Sequence, residues 1–196
     1  MDKWRKAAET LKDGGVVIIP SDSSYGIAAL AQDKKAVEKV YQIKKREPGK
    51  PSLVIVCSIE QAKQLVEFTP LAEKLVADYW PGGLTLVLKA NNPDFSPLIY
   101  GENQCLAVRL PDKKELRDLA GQFGPFILPS ANFNGQPAPF SKADVDLGLI
   151  KLVDFFLDEP TDGNMVSTLV DVRRVEPVIL REGSLKLLNR NREAKS

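Results

Sequence analysis

The sequence contains no histidine. This absence excludes Ser-His-Asp and Cys-His catalysis, zinc sites with histidine ligands, and acid–base chemistry by an imidazole. An enzyme of this composition depends on lysine, arginine, hydroxyl, carboxamide and carboxylate side chains. These groups are suited to holding phosphates and stabilising their charge, and less suited to covalent nucleophilic catalysis.

Cysteine is scarce, and long apolar runs are absent. Cys57 and Cys105 both fall in predicted strands, which indicates buried thiols of a cytosolic protein and not a disulfide framework or a Cys-x-x-Cys zinc site. No apolar run approaches the roughly 20 residues of a membrane span. Residues 1–5 are typical of the start of an amphipathic helix and not of a signal peptide. We therefore expect a cytoplasmic protein without a membrane partner.

Positive and negative charges nearly balance, because the chain has 27 Lys and Arg residues and 26 Asp and Glu residues. Four cations nevertheless lie within seven residues, from Lys44 to Lys50. A helix is predicted over Asp33 to Lys45, and Leu53 to Cys57 follow as a buried strand. One interpretation of the cations is a solvated helix end, where the helix dipole favours positive charge. The other is an anion-binding turn.

Hydrophobic periodicity and turn residues divide the rest of the chain. Further helices are predicted over Asp2 to Asp13, Ile59 to Val66, Pro70 to Tyr79 and Asp112 to Ala120, with Asp112 as an N-cap, and Ser141 is predicted to cap a short helix. Further strands are predicted over Val16 to Ile19, Leu84 to Leu88, Cys105 to Leu110, Phe126 to Leu128, Val153 to Leu157, Ser167 to Val172 and Val178 to Arg181.

These elements do not alternate strictly between strand and helix. The pattern predicts an α/β (α+β) fold in which helices flank a twisted mixed β-sheet. The length of 196 residues fits one domain, here residues 1–188, followed by a polar tail over residues 189–196.

Three polar loops follow or precede predicted strands. They are Ser21 to Tyr25, Lys44 to Lys50 and Ser130 to Asn132. If these loops meet at one edge of the sheet, they form a concave site with cations, hydroxyls and a carboxamide. That combination is suited to binding anions and nucleotides.

Seven short segments carry a combination of motifs. They are Pro20 to Gly26 (Pro-Ser-Asp-Ser-Ser-Tyr-Gly), Lys44 to Arg46 with Lys50-Pro51, Pro81 to Leu86 (Pro-Gly-Gly-Leu-Thr-Leu), Val108 to Pro111 (Val-Arg-Leu-Pro), Pro129 to Asn132 (Pro-Ser-Ala-Asn), Ser167 to Asp171 (Ser-Thr-Leu-Val-Asp) and Leu180 to Gly183 (Leu-Arg-Glu-Gly). Through them the chain resembles the threonylcarbamoyl-AMP synthase (YrdC/Sua5-like) family, from about Trp4 to about Ser184. Each motif alone is weak, but seven in the right order are strong. The length resembles the short, single-domain form.

The resemblance implies a YrdC-like fold with a basic concave site and a nucleotidyltransferase activity. The implied enzyme, an L-threonylcarbamoyladenylate synthase, converts L-threonine, bicarbonate and ATP into threonylcarbamoyl-AMP and pyrophosphate. Downstream threonylcarbamoyl transferase machinery would then use the product for t6A37 modification of tRNA.

The resemblance also implies site residues. ATP would be bound by Lys44, Arg46, Lys50, Ser130, Asn132 and Arg181, with Lys44 and Arg46 as catalytic cations. L-Threonine would be bound by Ser23, Tyr25, Arg109 and Ser167, with Arg109 paired to its carboxylate. Mg²⁺ would enter with ATP, because no dense carboxylate cluster marks a metal site.

Two alternatives remain at this point. One is an RNA-binding YrdC-like protein, which would bind tRNA or double-stranded RNA through a basic face; the net charge of +1 counts against it. The other is a paralogue with altered adenylation chemistry. It is favoured by Ser23, where the family usually has threonine, and by Ala138, where it usually has serine.

Overall fold

The computed structural model describes residues 3–187, and its strands form one mixed sheet. The strands are Val17–Pro20 (β1), Tyr25–Leu30 (β2), Leu53–Ile55 (β3), Leu84–Lys89 (β4), Cys105–Arg109 (β5), Phe126–Ile127 (β6), Phe155–Phe156 (β7), Thr168–Asp171 (β8) and Val178–Arg181 (β9). Within the described part of the chain, these nine strands lie in the order β7-β1-β2-β6-β3-β5-β4-β8-β9. Strand pairs β1–β7, β3–β5 and β4–β8 are parallel and the others are antiparallel, which confirms the predicted mixed sheet.

Helices flank this sheet. The α-helices are Lys3–Lys12 (α1), Lys34–Lys44 (α2), Ile59–Leu65 (α3), Pro70–Tyr79 (α4), Lys114–Phe123 (α5) and Leu147–Ile150 (α6), and short 3₁₀-helices span Pro97–Ile99 and Lys142–Asp144. Among residues 3–187, no helix has the length and apolar character needed to cross a membrane.

Alternate residues of the strands enter two different cores. Ile18 of β1 belongs to the core that contains apolar residues of α2, α3 and α4, whereas its neighbours Val17 and Ile19 belong to the core that contains those of α1 and α5. Successive strand side chains point to opposite faces, so helices cover both faces of the sheet. This two-sided burial explains why β1 is apolar at every position.

The face covered by α1 and α5 continues across β3, β5, β4 and β8. In register on this face lie Leu53 beside Ala107, Ile55 beside Arg109, and Thr85 beside Leu169. All six of these residues line a cavity. The sheet therefore supplies the floor of the candidate site.

Several local expectations need correction. Tyr25 was predicted to end a loop, but it begins β2. The small residues of β2 obscure its β-pattern, although all six positions of the strand are buried. Asp112 is not an N-cap, since Lys113 holds that position without a side-chain bond. Strand β7 spans only Phe155–Phe156 and is shorter than the predicted strand over Val153 to Leu157.

Other expectations hold or lie outside the described region. Ser141 is the N-cap of the helix Lys142–Asp144, as predicted. Both cysteines are free thiols; Cys105 is buried in β5, but Cys57 lies beyond the end of β3 and is only half-buried, contrary to prediction. Asp2 and the tail 189–196 lie outside the described residues.

Candidate active site

A cavity of about 140 Å³ opens on the sheet floor, between the loop that joins β1 to β2 and the loop that follows β6. Six residues predicted from the sequence to act in the site line it. They are Ser23, Arg46, Arg109, Ser130, Ser167 and Arg181. The basic turn, the serine loop and the Pro-Ser-Ala-Asn segment therefore meet in one place, as their positions near strand ends indicated.

The serine loop is held by its own hydroxyls. The Ser21 hydroxyl donates to the carbonyl of Ser24 at 2.6 Å and accepts the Ser23 N–H at 3.1 Å. The hydroxyls of Ser21 and Ser23 lie 3.0 Å apart. This local network fixes the Ser23 side chain at the cavity wall.

Arg109, near the end of β5, is almost fully buried, at 2% side-chain exposure. Its Nε donates to the Gly82 carbonyl at 2.8 Å and its Nη1 to the Ser23 hydroxyl at 3.0 Å. Its Nη2 pairs with Asp22 Oδ2 at 2.8 Å. Burial lowers the pKa of Arg109, and Asp22 opposes that shift. The guanidinium is thus rigidly oriented in the cavity floor.

Arg181 reaches the cavity from β9. Its Nη2 donates to the carbonyl and the hydroxyl of Ser167, at 2.9 and 3.0 Å. Burial lowers the pKa of Arg181, and the charges of Arg109 and Arg46 lower it further. Three arginines face a single carboxylate among the described lining residues. This excess of positive charge favours binding of an anion.

Arg46 follows the end of α2. The helix stops because Lys45 adopts a left-handed conformation with φ of 50°. The Arg46 Nη2 donates to the Pro51 carbonyl at 3.2 Å, while its Nε is buried without a hydrogen-bond partner. A buried donor without an acceptor at an anion-binding cavity is suited to a ligand oxygen.

Lys44 has a different environment from Arg46. It is 3% exposed, and its ammonium donates to the carbonyl of Asn132 at 2.6 Å and to that of Ser130. Burial and the neighbouring Arg46 lower the pKa of Lys44 to about 7. Lys44 does not line the cavity; it links the end of α2 to the loop after β6.

Three more predicted residues lie outside the cavity lining. Asn132 donates from Nδ2 to the carbonyls of Phe133 and Gln136, at 3.0 and 2.7 Å, and its Oδ1 is buried without a partner. Lys50 is exposed. Tyr25, predicted to line the threonine pocket, instead packs in the core among the residues that face α2.

Asp22 and Thr85 are two of the cavity-lining residues that had no predicted role. Asp22 pairs with Arg109, and Thr85 lies with its hydroxyl 2.8 Å from that of Ser167. Both belong to motifs quoted above. A carboxylate inside a serine loop and a hydroxyl inside an otherwise apolar strand were the signals that could have identified them.

The geometry favours binding and charge stabilisation over covalent catalysis. Among residues 3–187, no group of three or more cysteine or carboxylate residues is placed to hold a metal ion. Guanidinium groups and hydroxyls provide the polar contacts instead. Such a site binds carboxylates and phosphates through charge-assisted hydrogen bonds.

Comparison with known proteins agrees with this geometry. The profile of a family described as "Telomere recombination" (Sua5_yciO_yrdC) matches residues 9–183. A threonylcarbamoyl-AMP synthase of Bacillus subtilis is 33% identical over 187 residues, which are 92% of this chain and 53% of that protein. A threonylcarbamoyl-AMP synthase of Pyrococcus abyssi is 32% identical over 194 residues, which are 95% of this chain and 56% of that protein.

The same likeness is found in three dimensions. The crystal structure of P. abyssi Sua5 complexed with L-threonine has a TM-score of 0.87 to this chain at 32% identity, and the match covers 95% of this chain and 56% of that one. The chain thus spans just over half the length of these relatives. These matches confirm the family resemblance that the sequence motifs indicated. Because the family profile covers most of the chain, the chain belongs to the Sua5/YciO/YrdC family.

Proposed function

We propose that the chain is a threonylcarbamoyl-AMP synthase that uses L-threonine, bicarbonate and Mg-ATP. The observation that carries the proposal is the convergence of Arg46, Arg109 and Arg181 around serine hydroxyls in one cavity. The similarity to proteins named threonylcarbamoyl-AMP synthase supports the same activity.

The proposed reaction requires no covalent enzyme intermediate. The amine of threonine attacks the carbon of bicarbonate and gives a carbamate and water. A carbamate oxygen then attacks the α-phosphorus of ATP, the bond to the β-phosphate oxygen breaks, and pyrophosphate leaves. The protein needs to align two anionic reactants, stabilise charge on the leaving group and exclude water from the product. A chain without histidine is compatible with this chemistry.

The amino acid is assigned to the cavity floor. The hydrogen bonds described above use three of the five N–H groups of Arg109, which leaves two for a substrate carboxylate. Ser23 and Ser167 line the same cavity as Arg109 and provide hydroxyls. L-Threonine bound to the related P. abyssi Sua5 supports this choice.

ATP is assigned to the basic side of the site. Arg46 brings a guanidinium with an unpaired Nε, and Arg181 and Ser130 line the same cavity. Lys44 and Asn132 would position the loop that carries Ser130. Lys44 donates to the carbonyls of Ser130 and Asn132, and Asn132 donates to two carbonyls further along the loop. Mg²⁺ would arrive with ATP and be held by its phosphates. Lys50, at the exposed turn, remains a predicted contact to the triphosphate.

Pyrophosphate release tests the proposal. We expect release that requires L-threonine, bicarbonate and Mg-ATP together. Equal release with L-serine, or release without bicarbonate, would contradict threonylcarbamoyl transfer and favour a paralogue with other adenylation chemistry. Absence of turnover together with salt-dependent binding of tRNA or double-stranded RNA would favour the RNA-binding alternative.

The cellular role follows from the same proposal. The product would serve t6A37 modification of tRNA through downstream threonylcarbamoyl transferase machinery. A cytoplasmic location stays a prediction from the sequence.

A further inference from the structure

Asp22, in the loop between β1 and β2, has a buried carboxylate oxygen without a hydrogen-bond partner. Asp22 lines the cavity, and its side chain is 11% exposed. Its Oδ2 accepts two hydrogen bonds, from Arg109 Nη2 at 2.8 Å and from the Asp112 N–H at 2.7 Å. Its Oδ1 is buried and accepts none. An unpaired buried acceptor is costly and uncommon in folded proteins, so a donor for Oδ1 is expected from a ligand.

The charge arrangement indicates what kind of donor this is. Arg109, the proposed partner of the substrate carboxylate, lies 2.8 Å from the carboxylate of Asp22. A cation and an anion held side by side match the carboxylate and amino groups of an α-amino acid, which are separated by a single carbon. The other charged residues that line the cavity are arginines, which cannot accept an N–H group.

We propose that Asp22 binds the amino group of the amino-acid substrate through its free Oδ1. This inference rests on the proposed function and adds a residue that selects α-amino acids over simple carboxylates. Asp22 would accept an N–H both from the free amine and from the carbamate formed on it, and so would hold the nitrogen throughout the reaction.

The substitution Asp22→Asn isolates this role. Because Oδ2 accepts two N–H donors, an asparagine must keep its carbonyl oxygen at that position and place its NH₂ group where Oδ1 was. The variant therefore keeps a contact to Arg109 but presents a donor to the amino group of the ligand. Asp162→Asn is the matched control, since Asp162 lies on the neighbouring loop, is 57% exposed and pairs with Lys113.

Calorimetric titration with L-threonine and with (R)-3-hydroxybutanoate, which lacks only the amino group, tests the proposal. We expect the wild type to prefer threonine by about tenfold to a hundredfold, the value of one charge-assisted hydrogen bond. Asp22→Asn should reduce the preference to about threefold or less, while it still binds 3-hydroxybutanoate. Asp162→Asn should retain the wild-type preference. Thermal unfolding confirms that each variant is folded.

Three results would overturn the proposal. They are equal affinity of the wild type for both ligands, a full preference retained by Asp22→Asn, and loss of both ligands by a folded Asp22→Asn, which would limit Asp22 to supporting Arg109. If the variant does not fold, equal affinity of the wild type for both ligands still overturns the proposal. Failure of the proposed function is separate, because it appears as absence of pyrophosphate release even where threonine binds with the expected preference.

Discussion

Replacement of Lys44 by methionine probes the link between α2 and the loop after β6. Methionine has a similar length but neither charge nor N–H donors. The wild-type ammonium is 3% exposed and donates to the carbonyls of Ser130 and Asn132. These acceptors favour the charged form of Lys44, whereas burial and the nearby Arg46 disfavour it. Burial and Arg46 have the larger effect, so the pKa of Lys44 falls to about 7.

The sign of the pH dependence follows from proton binding. Between about pH 7 and the ordinary pKa of 10.5, the unfolded chain holds the Lys44 proton and the folded chain does not. The free energy of unfolding therefore rises with pH in this window, by about 1.4 kcal/mol per pH unit. From about pH 7.5 to about pH 9.5 the contribution of Lys44 grows by roughly 2–3 kcal/mol. Below about pH 7 both states are protonated, and the contribution is constant.

Urea unfolding of the wild type and Lys44→Met at several pH values measures this contribution. The difference in unfolding free energy between the two proteins should increase with pH above about 7. Only the slope is used, so any constant effect of the lost hydrogen bonds cancels. Lys45→Met, at the exposed left-handed end of α2, controls for removal of a lysine from the same turn. A difference that is flat, or that falls as pH rises, would contradict a lowered pKa of Lys44 in the folded protein.

Further substitutions separate the two halves of the site in the pyrophosphate assay. Arg46→Ala should lower kcat/KM for ATP by about tenfold to a hundredfold. Arg46→Lys should not restore kcat/KM fully, because an ammonium lacks the planar fork of a guanidinium. Arg5→Ala, which removes an exposed arginine, is the control. Thr85→Val should raise KM for threonine and not for ATP, because it removes the hydroxyl beside Ser167, and Thr85→Ser should restore it. Ser23→Ala should raise KM for threonine more than that for ATP. Equal increases in both constants would assign Thr85 and Ser23 structural roles.

The sequence was sufficient to predict the mixed sheet and the meeting of its polar loops. Buried apolar strands and turn residues carry strong local signals, and the motif residues follow them closely. Arg46, Arg109 and Ser130 line one cavity because they lie at the ends of α2, β5 and β6.

The burial of Lys44 was not predicted, although the spacing between Lys44 and the apolar residues of α2 indicates it. Val37, Val40 and Tyr41 are buried on α2, and Lys44 continues the same stripe at intervals of three and four residues. A charged residue is seldom assigned to a core, because its burial requires acceptors from another part of the chain. Here these are carbonyls of the loop after β6, which local sequence patterns do not locate.

Tyr25 illustrates a second limit. It begins β2, and its side chain shares the core face with Ile27 and Ala29, whereas Gly26 lines the cavity. Because strand side chains alternate between faces, a shift of one residue in the pairing register would change which residue reaches the site. The motif placed Tyr25 near the site but could not assign its face.

The central claim is most directly tested by the identity of the nucleotide product. The protein should be incubated with ATP, L-threonine and ¹³C-labelled bicarbonate, and the nucleotides analysed at once by mass spectrometry. We expect an AMP conjugate that contains threonine and carries the label from bicarbonate. A product that contains threonine without the label, such as threonyl-AMP, would contradict it, as would formation of no AMP conjugate while all three substrates bind.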